Sequence, residues 1–294
     1  MPGRLFDEDF LQRLQRLAVL AKRIAAARAA SGQRRARRLG DGLEFADRRQ
    51  YAPGDDVRFI DWPYYARMER LLIRLFHEHS EGSVRVLVDC SASMRVGQAK
   101  FDHARRVSAA LAYVAMGSLD RVDVLPLADG LGEGVVTGRS RGRILQVLDF
   151  LERLTPAGPT RLAAAVEQFI RRHAQPATLF LVSDGIDIEG DLPRALALLR
   201  QHRDETALVH VIDPADADPP MLGPSRLRAV ESEGRLAVNV TPALAESYRA
   251  RWGEFCRATE KACLAGSASY VQAPTELPFE RLVLQVLARM GLSP

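Results

Sequence analysis

Asp89, Ser91 and Ser93 stand at alternate positions in Val84-Arg85-Val86-Leu87-Val88-Asp89-Cys90-Ser91-Ala92-Ser93-Met94, where an apolar run gives way to one carboxylate and two hydroxyls. A run this rich in β-branched residues reads as a buried strand, and its polar residues come where the strand must stop. In a locally extended segment, alternation sends the three side chains to one side, so one small hard cation could take all three oxygens. The same residue types also cap helices, and on this stretch alone Asp89 and Ser91 serve equally as caps of a following helix. Two later stretches enlarge the set. Gly158-Pro159-Thr160-Arg161 places a hydroxyl at or near the first turn of a helix, and Leu179-Phe180-Leu181-Val182-Ser183-Asp184-Gly185 is a second buried strand ending in an acid. Asp187, three residues further on, reads as a surface residue, with an outer-shell acid as the alternative.

The chemistry that such oxygens suit is Mg²⁺ or Mn²⁺ binding, since Mg²⁺ wants about six oxygens near 2.1 Å and usually keeps some waters. Two acids against a divalent cation leave the site near neutral, so an acidic group from a partner can fill an open position. That is binding chemistry rather than catalysis.

The elements that must position these residues alternate between strand and helix. After Ser93, Phe101, Ala104, Val107, Leu111 and Val114 mark a helix, and Val122 to Leu127 a strand. Gly130, Gly132 and Gly134 break the chain before Val135-Val136, a short antiparallel edge strand. Helices follow over Ile144 to Leu154, Leu162 to Arg172 and Pro193 to about His202, with strands at Leu179 to Ser183 and Ala207 to Ile212. Residues 213–224 read as a loop, Leu227 to Val240 as an inserted hairpin turning at Ser232-Glu233-Gly234, Thr241-Pro242 as the start of a long helix, Tyr270-Val271 as a last strand and Phe279 to Met290 as a closing helix. This predicts an α/β fold, a doubly wound, mainly parallel sheet with right-handed crossovers and helices on both faces. In such sheets ligands bind outside the carboxyl ends of the strands, where Asp89 and Asp184 fall.

The 294 residues are 47% hydrophobic and 27% charged, which is globular composition. No apolar run of about eighteen residues occurs, and the N-terminus is acidic and amphipathic, so the expected location is the cytoplasm. Cys90, Cys256 and Cys263 lack a Cys-x-x-Cys pairing and read as reduced core thiols. From Asp7 to Ala30, Phe10, Leu14, Leu17, Ala21 and Ile24 recur at helical spacing, and this stripe is expected to pack on the rest of the chain. Gln33 to Arg38 is a basic cluster. With a net charge of only +4 and no aromatic interleaving, it reads as a linker or a docking surface for an acidic protein rather than a nucleic-acid patch. His77 and His79 flank Glu78 without a third ligand nearby and read as a solvated strand edge.

Between Glu44 and Trp62, acids, arginines and aromatic rings crowd together around the turn signal Pro53-Gly54-Asp55. Ion pairs between them could fix a small irregular or β subdomain, with a recognition surface beside the metal as the alternative. The segment Glu44 to Arg67 has too few aliphatic residues to bury a core of its own, so it is expected to fold onto the main domain. The expected divisions are 1–39 for the helix and linker, 40–82 for this subdomain, and 83–294 for the α/β domain.

Asp89, Ser91, Ser93, Thr160 and Asp184, in that order, resemble the metal-ion-dependent adhesion site of von Willebrand factor A domains, and the resemblance implies that they hold Mg²⁺. The stretch Glu44-Phe45-x-Asp47-x-Arg49-x-Tyr51-x-Pro53-Gly54-Asp55-Asp56-x-Arg58-x-Ile60-Asp61-Trp62, followed by Ala66-Arg67, resembles the hallmark of the bacterial domain-of-unknown-function family fifty-eight, which precedes a von Willebrand A-like domain. Members of that family are often encoded beside MoxR-type AAA+ ATPases. The resemblance therefore implies a metal-dependent adaptor for such an ATPase, whose partner supplies the acidic residue.

An Mg²⁺-dependent hydrolase or phosphoryl-transfer enzyme is the rival reading. The chain has no Gly-x-x-x-x-Gly-Lys-Ser/Thr loop, no Gly-x-Ser-x-Gly elbow and no evident nucleophile set, so a non-enzymatic role is expected. A nucleic-acid-binding module resting on Arg34 to Arg38 is the other alternative.

Overall fold

The computed structural model describes residues 4–30, 39–40, 44–52, 55–77, 83–97, 99–118, 120–138, 141–186, 190–218, 222–232 and 234–291. The basic run Gln33 to Arg38, Glu78, His79 and Asp187 lie outside them, as does the side chain of His77. The chain forms two compact units, one of residues 1–25 with 83–294 and one of residues 26–82.

Helix α1 (Glu8–Ala30) opens where Asp7 accepts the Phe10 N–H at 2.8 Å. Its stripe Phe10, Leu14, Leu17 and Ala21 is buried. The Phe10 ring lies 4.9 Å from that of Phe279, and Arg13 forks onto Glu280 at 2.6 and 2.9 Å, so this stripe finds its partner in the chain's own last helix.

The smaller unit contains β1 (Leu39–Gly40), β2 (Glu44–Gln50), α2 (Trp62–Met68) and β3 (Leu72–His77). The strands form an antiparallel sheet in the order β1-β3-β2. Between β2 and α2, Arg49 grips Asp55 with two bonds of 2.6 and 2.5 Å, and Asp55 also takes the Ala52 N–H. These bonds, led by Arg49, pull the Asp55 carboxyl down to about 2. Asp56 caps the turn Val57–Phe59 and Asp61 caps α2, so the acids of this segment fix its turns.

The larger unit continues with β4 (Ser83–Asp89), α3 (Lys100–Gly117), β5 (Arg121–Leu127), β6 (Val135–Val136), α4 (Ile144–Arg153), α5 (Leu162–Arg172), β7 (Thr178–Ser183), α6 (Leu192–Gln201), β8 (Glu205–Ile212), α7 (Pro214–Ala217), β9 (Gly223–Arg228), β10 (Arg235–Val240), α8 (Pro242–Ala265), β11 (Ser269–Pro274) and α9 (Phe279–Met290). The main sheet runs β11-β8-β7-β4-β5-β6, parallel throughout except at β6. β4 lies inside this sheet between β7 and β5 and is covered on both faces. Val84, Val86 and Val88 belong to one core with Val107 and Leu111 of α3 and Leu282 and Val286 of α9. Leu87 belongs to the other, with Val166 and Phe169 of α5 and Leu196 and Leu199 of α6. This is the doubly wound α/β architecture that the strand–helix alternation predicts.

Residues 213–224, read as a loop, contain α7 and the first two residues of β9; α7 forms because Asp213 accepts the Ala215 N–H and Asp216 Oδ2 accepts the Asp213 N–H, closing a capping box around Pro214.

Candidate metal-binding site

The neighbouring strands β4 and β7 end side by side, which puts Asp89, Ser183 and Asp184 at the carboxyl edge of the sheet. Asp89 Oδ1 accepts the Ser91 N–H at 2.9 Å, and Asp89 Oδ2 accepts the Ser183 hydroxyl at 2.5 Å. Beyond Ser91 the chain is not extended, as alternation assumes; it winds into a 3₁₀ turn over Ala92–Arg95. The turn still serves the site, because Ser91 Oγ and Ser93 Oγ meet at 2.9 Å. Ser91 makes no side-chain capping bond to that turn. Its hydroxyl is turned toward Ser93 instead.

Backbone bonds carry Thr160 to the same place. Ala92 donates to Gly158 O at 2.9 Å, Ala157 to Cys90 O at 2.7 Å, and Arg161 to Ala128 O at 3.0 Å. Thr160 stands two residues before α5, just outside its first turn. Asp89, Ser91, Thr160 and Asp184 are at most 1% exposed and Ser93 is 5% exposed.

Burial pushes the Asp89 carboxyl well above the usual carboxylate range, and the nearby Asp184 charge pushes it the same way, against the bonds from Ser183 and Ser91. One cation already stands beside this pair. Lys100, fully buried at the start of α3, puts Nζ 2.9 Å from Asp184 Oδ2, at ion-pair distance but without hydrogen-bond alignment, and 2.9 Å from Asp216 Oδ1. Burial works against the Lys100 charge, but Asp184 and Asp216 outweigh it and hold the ammonium above the ordinary lysine range. Asp216 is itself held high by burial, which Lys100 only partly offsets. Close packing supports the cluster. Gly97 has φ +85°, and a Cβ there would sit 2.6 Å from the Asp213 carboxyl carbon.

A third kind of group completes the site. Glu231, in the turn between β9 and β10, accepts the Ser93 N–H at 3.2 Å and the Thr160 hydroxyl at 2.9 Å on Oε1, and the Thr160 N–H at 3.0 Å on Oε2. Thus Ser93 and Thr160, 67 positions apart in sequence, share one carboxylate.

The residues present fit a hard divalent cation. Lys100 pairs with Asp184 and Asp216, while Asp89 has no ion pair among the described residues and stands beside the hydroxyls of Ser91 and Ser183. Among the described residues no three His, Cys, Asp or Glu side chains converge as metal ligands, so a cation here depends on the hydroxyls of Ser91, Ser93 and Thr160. Sequence reasoning missed Lys100, Asp216, Ser183 and Glu231. For Lys100 a signal existed, since it precedes Ala104, Val107 and Leu111 at core-facing helical spacing. For Glu231 there was none; a turn acid carries no periodicity that points to residues so distant in sequence. Of the three cysteines, Cys90 and Cys263 are buried, while Cys256 is only half-buried.

Among known proteins, an uncharacterized protein of Mycobacterium tuberculosis (strain ATCC 25618 / H37Rv) is 29% identical over 216 residues, covering 71% of this chain and 67% of the relative. A solved aerotolerance-related membrane protein from Bacteroides fragilis aligns at 16% identity with a TM-score of 0.47, covering 71% of this chain and 98% of that one. A von Willebrand factor type A structure from Catenulispora acidiphila aligns at 15% identity with a TM-score of 0.44, covering 76% of this chain and 44% of that one. Over residues 47–259, which include the acidic turns of the smaller unit and all five oxygen-bearing residues, the sequence matches the family described as protein of unknown function DUF58, and the chain belongs to it.

Proposed function

We propose that Asp89, Ser91, Ser93, Thr160 and Asp184 hold a divalent cation, Mg²⁺ or Mn²⁺, and that the protein uses it to bind an acidic side chain of a protein partner rather than to catalyse a reaction. The observation that carries this reading is the meeting of two buried acids with three hydroxyls at the carboxyl edge of the sheet, with Asp89 pushed upward by burial and by Asp184. A bound cation would stabilise both carboxylates in their charged form and leave an electrophilic position for an incoming carboxylate. The chain's own groups suit that step. Thr160 can use its hydroxyl oxygen toward a cation while its hydrogen points to a carboxylate, as it already does toward Glu231.

The family resemblance supplies a candidate partner, a MoxR-type AAA+ ATPase, for which the chain would act as an adaptor. No helix among the described residues is long and apolar enough to cross a membrane, which is compatible with that role. The test is calorimetry of Mg²⁺ and Mn²⁺ with the wild type and Asp89→Ala, followed by binding to the co-encoded ATPase in Mg²⁺ and in EDTA. Metal affinity should be lost in the variant, and ATPase binding should be lost in EDTA. Equal metal affinity in both proteins refutes the site. Equal ATPase affinity in both buffers leaves the ion without a role in partner binding. Ser91→Asp separates the two steps, because the added charge should strengthen metal capture and repel the partner's acid.

A further inference from the structure

Glu231 already occupies a seat that a carboxylate would take. Its two oxygens collect three donors, the Ser93 N–H, the Thr160 N–H and the Thr160 hydroxyl. Two of these donors are backbone groups, fixed in place by the 3₁₀ turn and by the loop before α5, so the seat is built by the fold rather than by Glu231 itself. Among the described residues, the hairpin that carries Glu231 is otherwise buried mainly at its base, at Val240. Among the described residues, β9 and β10 pair only with each other, as a separate two-stranded sheet. Residues 226–230 are exposed, and Leu227, Val230 and Leu236 are 48%, 48% and 60% exposed, whereas Glu231 is half-buried. A two-stranded hairpin with little apolar burial toward its tip is marginal by itself, and the three Glu231 bonds are what tie that tip to Ser93 and Thr160.

We propose that the β9–β10 hairpin is a tethered plug, in which Glu231 occupies the seat of the partner's carboxylate and must leave before that partner can bind. The inference rests on the reading of this edge as an acid-binding site and adds its regulation. The three bonds are charge-assisted and individually replaceable, so an external carboxylate can take the same donors when the tethered one withdraws. A tethered group competes at an effective concentration of about millimolar or more, so the plug lowers the partner's apparent affinity by the fraction of time that it is open. Acids of low affinity are excluded. A partner that also contacts the exposed hairpin apolar residues can draw the plug open.

The test uses acetate as the probe, with the full chain followed by amide NMR at Ser93 and Thr160. Sodium acetate is compared with sodium chloride at equal ionic strength, in EDTA and again in Mg²⁺. In Glu231→Ala, acetate but not chloride should shift these two amides and slow their hydrogen exchange, while the wild type should need about tenfold more acetate or more. If acetate and chloride act alike on Glu231→Ala, or if wild type and variant respond at the same acetate concentration, the plug is refuted. Glu231→Gln, which keeps the shape, guards against a folding defect. Its hairpin should be cut by trypsin at Arg228 and Arg235 about tenfold faster than in the wild type, and equal cutting refutes the plug. Acetate rescue in EDTA tests the seat without metal. Failure of Mg²⁺ to bind the wild type would therefore refute the metal reading alone, and failure of rescue where Mg²⁺ binds would refute the plug alone.

Discussion

Strands β4 and β5 bury carboxylates toward both ends of their shared ladder, and the two ends neutralise them in different ways. Near the amino ends, Asp123 of β5 lies in register with Arg85 of β4, with Arg85 Nε 3.7 Å from one carboxyl oxygen and Arg121 Nε 3.6 Å from the other. Arg85 also donates to Gln175 O at 2.7 Å and lies over the Phe169 ring at 5.4 Å. At the carboxyl end, Asp89 faces a second acid and a set of hydroxyls, and the nearby ammonium of Lys100 lies between Asp184 and Asp216. The first end supplies its own cations from adjacent strands. The second sets one ammonium against Asp184 and Asp216, and among the described residues it gives Asp89 hydroxyl and amide donors instead of a cation. The difference teaches that burial of an acid is not itself a sign of function; what matters is whether the fold has already provided the compensating charge.

The sharpest test sets one variant from each end against the other. Lys100→Met strands Asp184 and Asp216, whereas Arg85→Met leaves Asp123 to the more exposed Arg121; loss of one partner of a buried pair costs about 3–5 kcal/mol, with Lys100→Met expected at the upper end. Urea denaturation measures both. At one fixed concentration, Mg²⁺ should then stabilise Lys100→Met more than it stabilises the wild type, by about 1.4 kcal/mol for each tenfold gain in affinity, and should stabilise Arg85→Met no more than the wild type. Equal rescue of both variants, or of neither, would erase the distinction between the two ends.

Asp89→Ala should weaken Mg²⁺ binding at least about 100-fold, since even outer-shell groups contribute about 10- to 100-fold. Asp123→Ala should leave metal affinity unchanged by calorimetry. A smaller effect is expected from Gly97→Ala, which forces a side chain into the left-handed region and against Asp213, at a cost of about 1–3 kcal/mol in thermal or urea unfolding. The least is expected from pH. Burial first, and then Arg85, hold His173 below the ordinary histidine range. The unfolded chain therefore takes up this proton before the folded one does, and stability contributed by neutral His173 is lost as pH falls below the ordinary histidine range. His173→Gln should flatten that part of the stability–pH curve; an unchanged slope would show that the arginine end does not sense the proton.

Much of this molecule follows from local pattern. The run Val84 to Val88 had to be buried on both faces, the spacing of Phe101, Ala104, Val107 and Leu111 had to form one helical stripe, and the alternation of such runs with helices dictated a parallel sheet whose carboxyl edge carries Asp89 and Asp184. Thr241 announced the helix that it caps. In residues 213–224, by contrast, the high proline and aspartate content suggested a loop, because a capping box is a reciprocal bond that composition does not display.

The candidate site divides in the same way. Asp89, Ser91, Ser93, Thr160 and Asp184 could be chosen in advance, because each is a polar residue placed where an apolar strand or a loop ends. Only the tertiary structure decided that Lys100 stands beside Asp184, that Asp216 shares its charge, and that Glu231 sits on Ser93 and Thr160. Periodicity reports which face of an element is buried, and it does so within that element. Which charges meet in the interior depends on how separate elements close around the sheet, and for Glu231 that closure spans 138 residues back to Ser93.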